Sequence, residues 1–186
     1  EDEGGHFNWR GHSDTETLLA GLRHWGVEET LKRLNGMFAF AIWDEKRQGM
    51  LIARDGFGIK PLYYMEQAGI FTAASQVKAL LAGLKTQGIP RPEFDAAGHA
   101  GFFLFGNVPE PHTLYKGIKA LKAGTTLWID KNGPEQEKTF FDVTSCLADA
   151  SDQCSREELG HLLRDSVSHH LIADVPVGLF LSSGLD

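Results

Sequence analysis

Residues 37–44 read "MFAFAIWD", and residues 50–55 read "MLIARD". Almost every position in both runs is apolar, without the in-and-out alternation of a strand that has one face in water. Unbroken apolar runs of this length suit strands covered on both faces. A chain that carries them needs layers on either side of its sheet, and this limits it to stacked architectures. The polar loop "EKRQG", residues 45–49, joins the two runs as a hairpin, so these strands pair antiparallel.

The covering layers are visible on either side. "GHSDTETLLAGLRHWGVEETLKRLNG" opens with a helix-start signature, Ser13 followed three residues later by Glu16 as a capping box. Leu18, Leu19, Leu22, Trp25, Leu31 and Leu34 recur at helical spacing, and Asn35-Gly36 closes the element. After short apolar segments at Leu62–Met65 and Ile70–Ala73, "SQVKALLAGL" reads as a second amphipathic helix capped by Ser75. A looser stretch from Lys85 to about Gly124 contains a short helix in "AAGHAGFFLF". A hairpin follows, turning at Asn132-Gly133. Small polar residues over 143–154 suggest a linker. Ser155 then caps a helix with Leu159, Leu162, Leu163, Val167 and Leu171 inward, and "VPVGLFL" reads as a buried strand.

Composition narrows the class. The 186 residues are 42% hydrophobic with a formal charge of -7, which disfavours a broad nucleic-acid or anionic-membrane surface. No apolar run approaches the roughly 20 residues of a spanning helix. The acidic opening "EDEGG" carries no apolar signal region, so a cytoplasmic protein is expected. Cys146 and Cys154 lack the spacing of a disulfide framework or a zinc knuckle. His169 and His170 are helix neighbours whose side chains diverge by about 100°, so they do not form a chelating pair.

Two loops invite an anion. "RDGFGIKPLYY" has Arg54, Lys60 and two glycines, but a lone glycine-rich turn is a weak phosphate signal. The structural reading is stronger: Gly56 and Gly58 permit a tight turn, Arg54 and Asp55 pair within it, and Pro61 redirects the chain. "SSGLD", residues 182–186, follows an apolar strand and offers closely approachable backbone N–H groups.

The segments "SDTETLL", "LNGMFAFAIWD", "ARDGFGIKPLYY", "AASQVKALL", "VPEPHTLYKGIKAL" and "ADVPVGLFLSSGLD" occur in one order. In that order they resemble the glutamine-hydrolysing asparagine synthetase family, a class II glutamine amidotransferase joined to an ATP-pyrophosphatase-type synthetase. The resemblance implies an α+β fold: part of an N-terminal-nucleophile αββα four-layer sandwich over residues 1–142, a linker at 143–154, and the start of an α/β synthetase domain at 155–186. It implies a carbon–nitrogen ligase that uses glutamine, ATP and Mg2+ to amidate aspartate or a similar carboxylate through an acyl-adenylate. A homodimer is compatible with it, and neither nucleic acid nor membrane is an expected partner.

By the resemblance, Asp14 binds the α-amino group of glutamine. Leu181, Ser182, Ser183, Gly184 and Asp186 form the pyrophosphate loop, with Ser183 in place of a glycine and Asp186 near Mg2+. The family nucleophile is an amino-terminal Cys, whereas residue 1 here is Glu. Cys146 and Cys154 fall in the linker and do not replace it. These residues are therefore expected to have neither activity on their own. Gln76 stands where relatives usually carry Glu, removing a charge near the side facing the synthetase. Two alternatives remain open at this level: a β-lactam-synthetase-like relative with a decayed glutaminase domain, and a non-catalytic binding module.

Overall fold

The computed structural model describes residues 9–148 and 155–180, and the chain divides into two compact units, Glu1–Val143 and Thr144–Asp186. The first unit opens with helix α1 (Asp14–Arg33), followed by strands β1 (Ala39–Asp44), β2 (Gly49–Arg54), β3 (Tyr63–Gln67) and β4 (Ile70–Ala74). Helices α2 (Val77–Thr86) and α3 (Ala96–Phe105) come next, then the strands β5 (Lys119–Ala120), β6 (Thr125–Asp130), β7 (Gly133–Pro134) and β8 (Lys138–Thr139).

Every pairing is antiparallel. The larger sheet runs β1-β2-β6-β7, with β8 also on β6, and the smaller one runs β4-β3-β5. Period-2 alternation then builds the layers. Met50, Ile52, Leu127 and Ile129 of the larger sheet meet Tyr64, Phe71 and Ala73 of the smaller one, around Leu62 and Leu121. On the other face of the smaller sheet, Tyr63 and Met65 pack with Ile118 against Leu80 and Leu84 of α2. On the other face of the larger sheet, Leu51, Thr126 and Trp128 line a crevice with Val27 and Leu31 of α1. The order is thus helix, sheet, sheet, helix, the four-layer stack that the family resemblance implied, with two sheets where the doubly apolar strands alone suggested one covered sheet.

Several local expectations change. β2 is buried almost throughout, but β1 is not, and Trp43 is 58% exposed. β1 hydrogen-bonds only to β2, so it is an edge strand among the described residues and only part of its apolar run is covered. α1 is broken at Gly26, whose φ of 79° is outside the helical region. The Thr30 hydroxyl donates to the Gly26 carbonyl at 2.6 Å, and the bend brings Thr30 against Gly21. Ser75 does not cap α2: Gln76 holds the cap position and its side chain makes no capping bond. The second hairpin turns through 131–132, with Gly133 at φ 103° already paired to Asp130.

In the second unit, the stretch expected to be a linker contains helix α4 (Val143–Ala148), and Ser155 caps helix α5 (Arg156–His170) by accepting from the Glu158 N–H at 3.1 Å. The inward face expected for α5 is open, with Leu159, Leu162, Leu163 and Val167 each more than half exposed. Residues 175–180 form no strand and are exposed. A strand is held by ladder bonds, and no described strand pairs with this segment. No helix among the described residues is long and apolar enough to cross a membrane.

Candidate functional site

A cavity of about 630 Å³ opens where the start of α1 meets the segment entering β1 and the turn after β2. It is lined by Asp14 and Thr15 of α1, by residues 35–40 of the segment entering β1, and by Lys60, Pro61 and Ser75. Local sequence fixes the α1 side. The Ser13 side chain accepts from the Thr15 N–H at 3.2 Å, so Ser13 is the cap and Asp14 is released from that duty. Glu16 reaches back to the N–H groups of Arg10 and Gly11, at 2.8 and 3.0 Å, which fastens the chain leading into the helix. In the expected capping box Glu16 would bond the Ser13 N–H; its actual partners lie three and two residues earlier. Asp14 itself is exposed at the cavity, and its Oδ1 accepts from the Ser13 and Thr15 hydroxyls at 3.4 Å. Its Oδ2 accepts no bond among the described residues. The positive end of the helix dipole favours a carboxylate at this place.

The wall that carries Lys60 hangs on two buried charges at the end of β2. Arg54 is 4% exposed and Asp55 is 1% exposed. They do not pair with each other, contrary to expectation. Asp55 Oδ1 accepts from the N–H groups of Phe57 and Ile59, and Oδ2 from those of Phe38 and Lys60, at 2.9 to 3.2 Å. Arg54 donates through Nε to the Lys60 carbonyl, through Nη1 to the Leu121 carbonyl and Glu110, and through Nη2 to the Gly58 carbonyl and Glu110, all at 2.6 to 2.8 Å. The five guanidinium N–H donors are all used, which removes the phosphate reading of this turn. Gly58 is needed here on two counts: its φ is 65°, and a Cβ would stand 3.0 Å from the Arg54 guanidinium carbon. The two glycines and Pro61 therefore make the turn, as expected, but charge–backbone bonds rather than an internal ion pair hold it.

Of the residues singled out in sequence, Asp14 is on this cavity. Leu181, Ser182, Ser183, Gly184, Asp186 and Cys154 lie outside the described residues. Cys146 is exposed and unbridged. The Nδ1 atoms of His169 and His170 each face a main-chain carbonyl one turn back, at 2.9 and 2.8 Å. Sequence reading missed Asn35, Lys60 and Ser75 as cavity residues. The Lys-Pro step after the glycine turn was the available signal for Lys60, whereas Ser75 was assigned to a helix cap it does not make.

An αββα stack of antiparallel sheets, with an acidic residue at a helix start lining a cavity, defines a layered α+β domain. Residues 2–141 match the glutamine amidotransferase domain family, and the chain belongs to that family. Residues 158–186 match the asparagine synthase family. A protein of Mycobacterium tuberculosis provisionally named an asparagine synthetase (glutamine-hydrolysing) is 40% identical over 93% of this chain and 27% of its own length. Asparagine synthetase (glutamine-hydrolysing) 1 of Bacillus subtilis is 37% identical over 94% and 27%. The amidase chyE of Penicillium rubens is 33% identical over 97% and 26%. The chain thus spans about a quarter of the length of these relatives. Among solved structures, the glutamine phosphoribosylpyrophosphate amidotransferase of B. subtilis aligns over 73% of this chain and 24% of its own, with 20% identity and a TM-score of 0.49.

Proposed function

We propose that the first unit is the glutamine-handling part of a glutamine-dependent asparagine synthetase or close relative, in which glutamine hydrolysis supplies ammonia to an activated aspartate or similar carboxylate. The observation that carries this reading is Asp14, a carboxylate with one oxygen free of described partners, at the edge of a cavity in a glutamine amidotransferase domain. An ammonium group is the natural partner for such an oxygen, and glutamine carries one on its α-carbon. The helix start and the Ser13 and Thr15 hydroxyls orient the carboxylate before substrate arrives, which lowers the ordering cost of binding. Lys60 adds a basic residue to the lining, and Leu18, Met37 and Phe40 supply apolar surface that limits water around the side chain of the amino acid.

The second half of the reading rests on the asparagine synthase match at 158–186 and on the named relatives. ATP with Mg2+ would supply the activation of the acceptor carboxylate, and Leu181, Ser182, Ser183, Gly184 and Asp186 are the residues proposed to meet the pyrophosphate.

The test uses the protein produced from its complete reading frame. It is expected to release ammonia and glutamate from glutamine, and to form asparagine when aspartate and ATP are added. Asp14→Asn replaces a charge-assisted bond with a neutral one and should raise the glutamine KM about 100-fold. A wild-type KM in that variant would refute the role given to Asp14.

A further inference from the structure

We propose that Glu110 is a positioning residue for the glutamine site, acting through Arg54 on the cavity wall that carries Lys60. The inference rests on the functional reading above for what the site binds, and on geometry alone for how the wall is held.

Three wall positions, Phe38, Lys60 and Pro61, depend on the Arg54–Asp55 pair of charges. Asp55 fixes Phe38 in both directions, accepting from its N–H and donating its own N–H to the Phe38 carbonyl at 2.8 Å. Lys60 is held at both ends of its peptide unit, its N–H on Asp55 and its carbonyl on Arg54 Nε. Pro61 follows on the same backbone. The wall is therefore as rigid as the guanidinium that holds the turn.

That guanidinium is anchored by three carbonyls and one carboxylate. The carbonyls of Gly58, Lys60 and Leu121 accept hydrogen bonds but carry no net charge to neutralise a buried cation. Among the described residues Glu110 is the carboxylate that bonds it, taking both Nη atoms at 2.8 Å in a bidentate pair. The fork geometry fixes the plane of the guanidinium as well as its place, which point contacts to carbonyls do less well. Glu110 lies 56 residues from Arg54 in sequence, on the loop after α3, and is the half-exposed partner, with a side chain 47% exposed against 5% for Arg54. Removing its charge leaves a buried cation short of a counter-charge, and the cheapest relief is for Arg54 to turn toward water. That motion breaks the bonds to Gly58 and Lys60 and loosens the cavity wall. Glu110 touches no substrate in this scheme. It sets where the Gly58–Lys60 turn stands, through the two carbonyls that Arg54 holds.

The test compares the complete protein with Glu110→Gln, which keeps the size and one acceptor oxygen, and with Glu110→Ala. Amide hydrogen exchange at residues 38 and 57–60 is expected to accelerate about tenfold in Glu110→Ala and less in Glu110→Gln, with the β2–β6 ladder unchanged. The glutamine KM is expected to rise about tenfold in Glu110→Ala with kcat within about twofold, while ammonia-dependent synthesis keeps its wild-type KM for ammonia. Unchanged exchange at 57–60 in both variants overturns the inference, whatever the activity. So does a parallel loss of melting temperature, glutamine use and ammonia use, because that is the signature of general destabilisation. Wild-type protein that does not hydrolyse glutamine overturns the functional reading instead, and the exchange comparison then decides the inference by itself.

Discussion

Asp55 accepts four main-chain N–H groups with two oxygens, and its own carbonyl accepts from Gly58 and Gly124 at 3.0 and 2.8 Å. A buried carboxylate costs a great deal unless each lone pair is used, and here the burial is matched by four main-chain donors. Asp55→Asn keeps the shape but turns one oxygen into an NH2 group that faces N–H donors. We expect a loss of about 2–4 kcal/mol in unfolding free energy, read from urea midpoints at constant m-value. A change under about 0.5 kcal/mol would show that these four bonds are dispensable. Asp14 belongs to the same scale with the opposite economy: it is exposed, lightly bonded and open to a ligand, so its replacement should touch glutamine use and leave the urea midpoint nearly unmoved.

At the scale of elements, α3 shows how backbone proximity overrides propensity. Asp95 caps it, accepting from the Ala97 and Gly98 N–H groups at 2.8 and 3.3 Å. The main-chain N–H of Gly98, followed by that of Ala97, holds the Asp95 carboxyl below the usual carboxylate range. Gly98 sits inside the helix, where alanine is ordinarily preferred by about 1 kcal/mol. A Cβ here would run into the carbonyl of Thr113, since the helix lies directly on the backbone of the following loop. Gly98→Ala is therefore expected to destabilise by about 2 kcal/mol or more and to lower the melting temperature by several degrees. An unchanged or raised melting temperature would mean the helix shifts freely on that loop. Since the loop carries Glu110, the same variant should also accelerate amide exchange at 57–60.

At the scale of the whole first unit, stability depends on pH through a contact near the sandwich core. The Tyr64 hydroxyl donates to Glu137 at 3.0 Å, and its ring stacks on Phe71. Burial, and then the Glu137 carboxylate, push its pKa up from 10.0 to about 12. The folded state therefore favours the neutral phenol more than the unfolded chain does. That contribution is complete below pH 10 and disappears as pH rises toward 12. Urea midpoints should fall across this window in wild-type protein and fall less in Tyr64→Phe. Equal slopes would exclude Tyr64 as the source.

The layered fold was legible because its signals are local and redundant. Doubly apolar strands, a polar hairpin loop and a capped helix each point to the same stack, and the span of α3 could be read directly from "AAGHAGFFLF". The candidate site was legible only at Asp14. Lys60, Asn35 and Ser75 reach the cavity through tertiary placement, and beyond the Lys-Pro step at Lys60 nothing in their own neighbourhood marks them. The exposure of Trp43 follows from strand order, which periodicity does not encode. The open face of α5 likewise depends on what packs against it, since amphipathicity specifies an apolar stripe without naming its cover.

By itself, then, the sequence determined the β1–β2 hairpin, helices α1 and α3, the caps at Ser13 and Ser155 and the acidic residue at the head of α1, because each depends on neighbours within a few positions. The partner of Arg54 was decided by tertiary structure. Sequence neighbours suggested Asp55, but the backbone of the turn offers Asp55 four N–H donors that leave it no lone pair for the guanidinium. Arg54 finds its counter-charge 56 residues away, on a loop that only the packed sheets bring within reach.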